Sequence, residues 1–377
     1  MEFTVSKSDL VRELNLSQGV VEKKTTIPIL SNVLLEASGD RITLTATDLE
    51  LGIRCSCPAK VKTRGAGTIP SKRLLDYVRL LPDSNLDVKF QDNHWASLVC
   101  GRSRTRIAGM AHDSFPDLPK MPDELAQLPA GILAALISRT IFAISAEESR
   151  FTLNGALLIL KRSGITMVST DGHRLAMAQC DVEIPAIDAG ASYRGLLPRK
   201  AMGEILKLVG DSGGDAMVHF AGDDNHLFFE LGDRLLLSRK LTGNFPDFER
   251  VLPKDHPHHV SLDKEELRGA IERVSQFSDE RSRAIRVRFV SGEVQIHSSL
   301  SDTGESEEML PSDYSGETVQ IGFNAGYMLD FLRAVPEKHV LFYFRDPNNA
   351  GEMRPVPSED AGPVSYQYRY VVMPMRI

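Results

Sequence analysis

Within MVSTDGHRLAM, an acid, a glycine, a histidine and an arginine follow one another at Asp171, Gly172, His173 and Arg174. An imidazole beside a carboxylate can move protons, and a guanidinium can hold an anion. Catalysis by His173 would also need a nucleophile or a substrate within hydrogen-bond reach. The chain carries no G-x-S-x-G elbow, no H-E-x-x-H, no P-loop and no dinucleotide glycine fingerprint. His256, His258 and His259 cluster in DHPHHV, but a Pro-bearing linker there predicts surface histidines rather than a metal site. The expectation is a binding surface with no catalytic residue, no metal and no cofactor.

Composition sets the frame for that surface. A chain of 377 residues is long enough for two or three cores. At 42% hydrophobic and 25% charged, it reads as an ordinary globular protein. The net charge of -7 argues against gripping nucleic acid by bulk charge, though it leaves room for a basic face on an acidic body. MEFTVSKSDLVREL has no apolar core of a signal peptide, and no apolar run reaches the ~18 residues of a membrane span. Cys55 and Cys57 alternate on one strand face, Cys100 and Cys180 stand alone, and none forms a CxxC unit. Reduced structural thiols in a cytoplasmic protein are expected, with no membrane partner.

Self-similarity then organises the chain. Ile29–Ile53 and Thr152–Met177 both run strand, glycine turn, strand, Thr-Asp, strand, with Asp48 and Asp171 123 positions apart. Ile285–Met309 is a weaker third copy. Downstream of each lies a strand end followed by apolar residues at helical spacing: TIPSKRLLDYVRLLP, LLPRKAMGEILKLVG and IGFNAGYMLDFLRAVP. Pro70, Pro198 and Asn324 are equivalent there, at intervals of 128 and 126. A short amphipathic helix precedes each hairpin, in SKSDLVRELNLSQGV, LPAGILAALISRTIF and LDKEELRGAIERVSQF. Three α+β copies of about 125 residues follow, each with two short helices among antiparallel strands and each itself roughly two-fold. Pro- and polar-rich stretches mark boundaries near Pro119–Gly131 and Leu252–His259.

The repeat bears on the reactive residues. Thr47-Asp48-Leu49-Glu50 in copy one and Ser301-Asp302-Thr303-Gly304 in copy three keep the Asp but lack His and Arg. Asp bonds nearby backbone and Gly tolerates positive φ, so the recurring Asp reads as a turn residue. His173 and Arg174 are specific to copy two. The ending YQYRYVVMPMRI reads either as a final strand whose Met side chains fill the core or as the lip of a peptide groove.

Blocks spread from end to end carry a family resemblance: FTV, TATDLE, GRSR, STDGHRLA, PRKA, GNFPDFERVLP, IGFNAGYMLD and YVVMPMRI. Together they closely resemble the β-subunit family of bacterial DNA polymerase III, the sliding clamps. The resemblance implies three clamp-type domains at 1–122, 123–253 and 254–377, assembling head to tail as a homodimeric ring around double-stranded DNA. Six short helices per chain would line the hole and the strands would form the outer sheet. It implies no enzymatic activity. The ring would tether the polymerase catalytic subunit, the clamp loader and other proteins bearing clamp-binding motifs.

Site residues carry over by motif. The partner-peptide pocket takes Leu153 from TLNG; Thr170, Gly172, His173, Arg174 and Leu175 from STDGHRL; and Pro246, Arg250 and Val251 from FPDFERV. Asn324 and Tyr327 come from FNAGYM, and Met373, Pro374, Met375 and Arg376 from the terminus. Thr152 stands where the family often has an aromatic. The dimer seam takes Ile107 from an edge strand and Phe277 opposite, with Thr105 and Gln276 as departures from the family's apolar residues. Lys24, Lys72 and Lys200 match DNA-contacting positions, and Arg12, Arg73, Arg79, Arg139, Lys207, Arg268, Arg273 and Arg333 add charge to the wet helix faces. A small-ligand binding protein of repeated α+β domains is the alternative class, and a metal-dependent nuclease or phosphoesterase the third. Retention on circular but not linear DNA separates the first from both.

Overall fold

The computed structural model describes residues 1–21, 26–210, 212–300, 304–357 and 366–376. Copy one opens with β1 (Glu2–Ser6), α1 (Lys7–Val20), β2 (Asn32–Ser38), β3 (Arg41–Thr47) and β4 (Leu51–Thr63). It continues with β5 (Gly65–Pro70), α2 (Ser71–Leu80), β6 (Asn85–Phe90), β7 (Trp95–Cys100) and β8 (Ser103–Ala108). Copy two supplies β9 (Ala126–Pro129), α3 (Ala130–Thr140), β10 (Gly155–Lys161), β11 (Gly164–Thr170) and β12 (Arg174–Cys180). Its second half is β13 (Ser192–Pro198), α4 (Arg199–Gly210), β14 (Met217–Gly222), β15 (His226–Leu231) and β16 (Arg234–Arg239). Copy three supplies β17 (His258–Asp263), α5 (Lys264–Val274), β18 (Ala284–Val290), β19 (Glu293–Leu300) and β20 (Gly304–Pro311). It ends with β21 (Val319–Asn324), α6 (Ala325–Ala334), β22 (His339–Phe344), β23 (Gly351–Pro355) and β24 (Tyr366–Val372).

Each copy therefore reads strand, helix, three strands, twice over. The helices form where the apolar spacing says. In α2, Leu74, Leu75 and Val78 are buried while Lys72, Arg73, Asp76 and Arg79 face water. Pro70, Pro198 and Asn324 each stand directly before a helix. Asn324 Oδ1 accepts the Tyr327 N–H, and Asp263 Oδ1 caps α5 by accepting from Glu265 and Glu266.

By compactness the chain divides into two units that cut across the three copies: 1–134 with 200–240, and 135–199 with 241–377. The first unit holds a twelve-stranded sheet in the order β8-β7-β6-β1-β4-β16-β15-β14-β9, with β2, β3 and β5 attached beside β4. Leu10 and Leu14 of α1 and Leu74 and Val78 of α2 pack on its apolar residues, among them Val33, Leu44, Cys55 and Leu98. All four cysteines are buried and unpaired. Burial, aided by Glu13, pushes the Cys57 thiol up to about 12, so it is inert at neutral pH. Arg234 grips the buried Glu13 carboxylate with bonds of 2.8 and 2.9 Å, tying β16 to α1.

The second unit holds an eight-stranded sheet, β13-β10-β11-β12-β24-β23-β22-β17, and a four-stranded sheet, β20-β19-β18-β21. The reason the units ignore copy boundaries lies in two equivalent joints. β4 pairs antiparallel with β16, from Leu51↔Ser238 to Cys55↔Arg234. β12 pairs with β24 in the same way, from Arg174↔Val372 to Cys180↔Tyr366. By the repeat, β20 corresponds to β4 and β12, and β8 corresponds to β16 and β24. Among the described residues β20 pairs only with β19 and β8 only with β7.

Two expectations change here. His256 is not a surface histidine. Its ring is buried, and its Nε2 lies 2.9 Å from Oε2 of Glu352, a fully buried carboxylate that Arg354 and Arg369 also bind. Arg139 does not face water: it is 7% exposed, with its guanidinium 4.3 Å from the Tyr366 ring centre. No described helix is long and apolar enough to cross a membrane.

Candidate functional site

The loop between β11 and β12 is a hydrogen-bonded turn. Asp171 Oδ1 accepts the His173 and Arg174 N–H groups at 2.9 and 3.0 Å, while Thr170 Oγ1 donates to the Arg174 carbonyl and accepts from Gly172 N–H. Copy one makes the same bonds: Asp48 Oδ1 accepts from Glu50 and Leu51, and Thr47 Oγ1 donates to the Leu51 carbonyl and accepts from Leu49 N–H. Gly172 has φ +89° and Leu49, its counterpart, φ +76°. The recurring Asp is thus a turn former. Ser301, Asp302 and Thr303 lie outside the described residues.

Arg174 leaves this turn and goes inward. Its Nε donates to Asp171 Oδ2 at 3.0 Å, Nη1 to Asp330 Oδ2 at 2.6 Å and Nη2 to the Phe142 carbonyl at 2.8 Å. The plane lies 4.4 Å from the centre of the Tyr327 ring. With every face of the guanidinium engaged, it is a brace rather than an anion hook. His173 stays exposed, its ring centre 6.5 Å from that of Tyr327.

The brace forms one wall of an apolar cavity of about 110 Å³. The β11–β12 turn gives Thr170, Gly172, Arg174 and Leu175, and the short 3-10 turn Phe151–Leu153 gives Leu153. Pro246, Phe248 and Val251 come from the connector after β16, and Val371 and Met373 from the end of β24. Arg150 Nη1 donates to the Asp171 carbonyl at 2.8 Å and fixes the lip. Beneath lie the buried Leu157, Ile159, Val168 and Leu252. Such a site can seat one branched or aromatic side chain and exclude water from it. A wider depression of about 940 Å³ beside Lys161, Arg162, Asp181, Glu183 and Arg194 is open and of mixed charge.

Eight of the expected pocket residues line this cavity, and seven do not: His173, Arg250, Asn324, Tyr327, Pro374, Met375 and Arg376. Arg250 is 86% exposed at its side chain and pairs with Asp247. Asn324 is a helix cap, and Tyr327 supports Arg174 from the far side. Met375 is half-buried, its N–H donating to the Gly322 carbonyl, while Met373 N–H donates to the His173 carbonyl. The terminus is therefore tied down by backbone bonds, and Met373 rather than Met375 reaches the cavity. Phe248 and Val371 were missed. Phe248 is an aromatic set between charged residues in PDFER, which is the signal that could have found it. Thr152 packs against Gly243, and Phe151 beside it is 70% exposed.

The remaining expected residues lie elsewhere. Ile107 is in β8 but only 4% exposed, inside the core of its own chain, because Thr105 and Ile107 face inward while Arg104 and Arg106 face out. Phe277 is half-buried, its ring against Gly304 at the start of β20. Lys72 is exposed and paired with Asp76. Lys200 bonds the Asp48 carboxylate and the Val20 carbonyl. Lys24 lies outside the described residues.

Models of a known family match nearly the whole chain, in order: "DNA polymerase III beta subunit, N-terminal domain" at residues 1–119, the central domain at 127–247 and the C-terminal domain at 249–376. The beta sliding clamp of Pseudomonas putida is 35% identical over 383 aligned positions, with all of both chains covered. That of Chlamydia pneumoniae is 34% identical, covering all of this chain and 99% of its own. Among solved structures, the DNA polymerase III subunit beta of Pseudomonas aeruginosa superposes with a TM-score of 0.91 at 33% identity over both full chains. The clamp of that organism bound to griselimycin gives 0.92, also at 33% identity and full coverage.

Proposed function

This chain belongs to the β-subunit family of DNA polymerase III, and from that premise we propose that it is a DNA sliding clamp. Two copies close into a ring around duplex DNA and tether the polymerase's catalytic subunit for processive synthesis, with no catalysis of their own. The domain limits are 1–122, 123–253 and 254–377, and the compartment is the cytoplasm.

The unmatched pair of strand edges carries this reading. β4–β16 and β12–β24 are two instances of one joint, and β20 and β8 are the halves of a third that stays open among the described residues of one chain. β8 turns Arg104 and Arg106 outward, and β20 turns out Glu305 and Glu307. Pairing β20 of one protomer with β8 of its partner repeats the joint, opposes unlike charges and leaves neither of these two edges open when two copies close. Phe277, beside β20, belongs to this seam. Ile107 supports it from within the core.

The apolar cavity supports the tethering half of the reading. A Leu or Phe side chain of a partner peptide fits its volume and lining, so the polymerase, the clamp loader and other motif-bearing proteins would compete for it. Lys24, Lys72 and Lys200 would meet phosphates without reading bases. The test combines sedimentation with DNA retention. A dimer that stays on nicked circular DNA and leaves the same DNA once linearised is expected; a monomer, or equal loss from both forms, would overturn the proposal.

A further inference from the structure

Several of the basic residues on the helices are answered by acids of the same chain. Lys72 Nζ lies 2.6 Å from Asp76 Oδ2 one turn along α2. Arg268 lies 2.6 Å from Glu265 on α5, and Arg333 of α6 lies 3.0 Å from Glu272 of α5. Arg12 on α1 also meets Asp9, at 3.0 Å, but the buried Glu13 holds its Nε at 2.9 Å, so it is less free than the others. Both members of these pairs remain open to solvent, Lys72 and Asp76 at 71% and 52% and Arg333 and Glu272 at 55% and 43%. Pairs this exposed contribute little to folding, so stability does not explain their recurrence. They also leave each cation free to change partner.

We propose that these helix acids set how tightly the protein holds DNA: each cation is shared between its own carboxylate and a passing phosphate. This rests on the proposed clamp function, with DNA lying against the helices. An unpaired lysine meeting a phosphate releases a condensed counterion, and log K falls by about 0.9 per contact with log salt. A lysine that must first leave an aspartate strands that carboxylate beside the phosphate, where it takes up a cation or repels. Both affinity and salt slope are then smaller than the number of cations implies. A ring that keeps its DNA by topology loses nothing by this, and no single phosphate is held long enough to stop sliding.

The test is a salt titration of the full-length protein on a short linear duplex, comparing the parent with Asp76→Asn/Glu272→Gln. The variant is expected to bind several-fold tighter near 0.1 M salt, with a slope steeper by up to about 1.8, two contacts' worth. Adding Lys72→Ala should remove about half of that gain. Glu36→Gln/Asp224→Asn changes net charge equally at exposed positions off the helices and should keep the parent's slope. If either substitution lowers the unfolding midpoint, the other one combined with Glu265→Gln carries the same comparison. A helix-acid variant indistinguishable from the off-helix control overturns the proposal. A parent with no salt-dependent duplex binding at all overturns instead the DNA reading on which it rests.

Discussion

Arg174 and Asp330, 156 positions apart in the chain, meet at 2.6 Å and fasten β12 to α6 behind the apolar cavity. The arginine is 9% exposed at its side chain, the aspartate 36%. Removing the guanidinium from such a position takes the side-chain donor from Asp171 Oδ2, Asp330 Oδ2 and the Phe142 carbonyl, although Asp171 Oδ1 keeps its two backbone donors. Arg174→Ala is expected to cost about 3 kcal/mol in urea unfolding, and Arg174→Lys, which keeps charge but loses the planar fork, roughly half as much. A loss below about 1 kcal/mol for the alanine variant would mean that the fork is not a brace.

Met373 is the cavity residue of the terminal segment, and Met375 is not. Truncating Met373 to Ala opens one wall and removes contacts from any seated side chain. Met375→Ala leaves the Met375–Gly322 backbone bond in place. Met373→Ala should therefore weaken binding of a Leu- or Phe-bearing clamp-binding peptide by at least ~1 kcal/mol, and Met375→Ala by clearly less. Calorimetry on the two variants decides it, and equal losses would return the terminus to the role the motif alone suggested.

How much of this was legible in the sequence depends on the range of the interaction. The Asp48 and Asp171 turns could be read because an Asx turn is written in three or four residues. The helices could be read because burial at helical spacing is a local pattern. The β4–β16 and β12–β24 joints could not, since a sheet edge selects its partner by fit across distant sequence and not by a local signal. Arg139 and His256 were misread for the same reason. Both carry polar letters that usually face water, and both are buried by partners the chain brings from afar, Tyr366 in one case and Glu352 in the other. Arg174 looked reactive because its residue type is reactive, and it is Asp330, Phe142 and Tyr327, all distant in sequence, that together with Asp171 make it structural.

The open edges predict a salt-sensitive dimer. Arg104 and Arg106 are exposed on β8, so reversing them to Glu leaves the core intact, unlike a charge at the buried Ile107, which should unfold the domain. Arg104→Glu/Arg106→Glu is expected to give folded monomers in sedimentation at concentrations where the parent is a dimer. Glu305→Arg/Glu307→Arg on the partner edge should do the same alone and restore dimers when the two variants are mixed. Failure of the mixture to recover dimers would remove β8–β20 pairing as the seam.

Glu352 makes folding sensitive to acid. Burial alone would raise its carboxyl, but hydrogen bonds from Arg369, His256 and Arg354 outweigh that and hold it well below the usual carboxylate range. A depressed native value means the unfolded chain binds the proton more readily, near pH 4.3 for an ordinary glutamate. The stabilisation is therefore complete above about pH 5 and drains away as pH falls below about 4. His256 Nε2, Arg354 Nε and the Arg369 guanidinium all face this carboxylate, and Arg369 also donates to the Pro253 carbonyl, so the connector into copy three depends on it. Glu352→Gln should lower stability at pH 7 by about 3 kcal/mol and flatten its fall between pH 5 and 3. Urea midpoints measured across that range for parent and variant are the check. A variant whose stability falls as steeply as the parent's would place the acid sensitivity in other carboxylates.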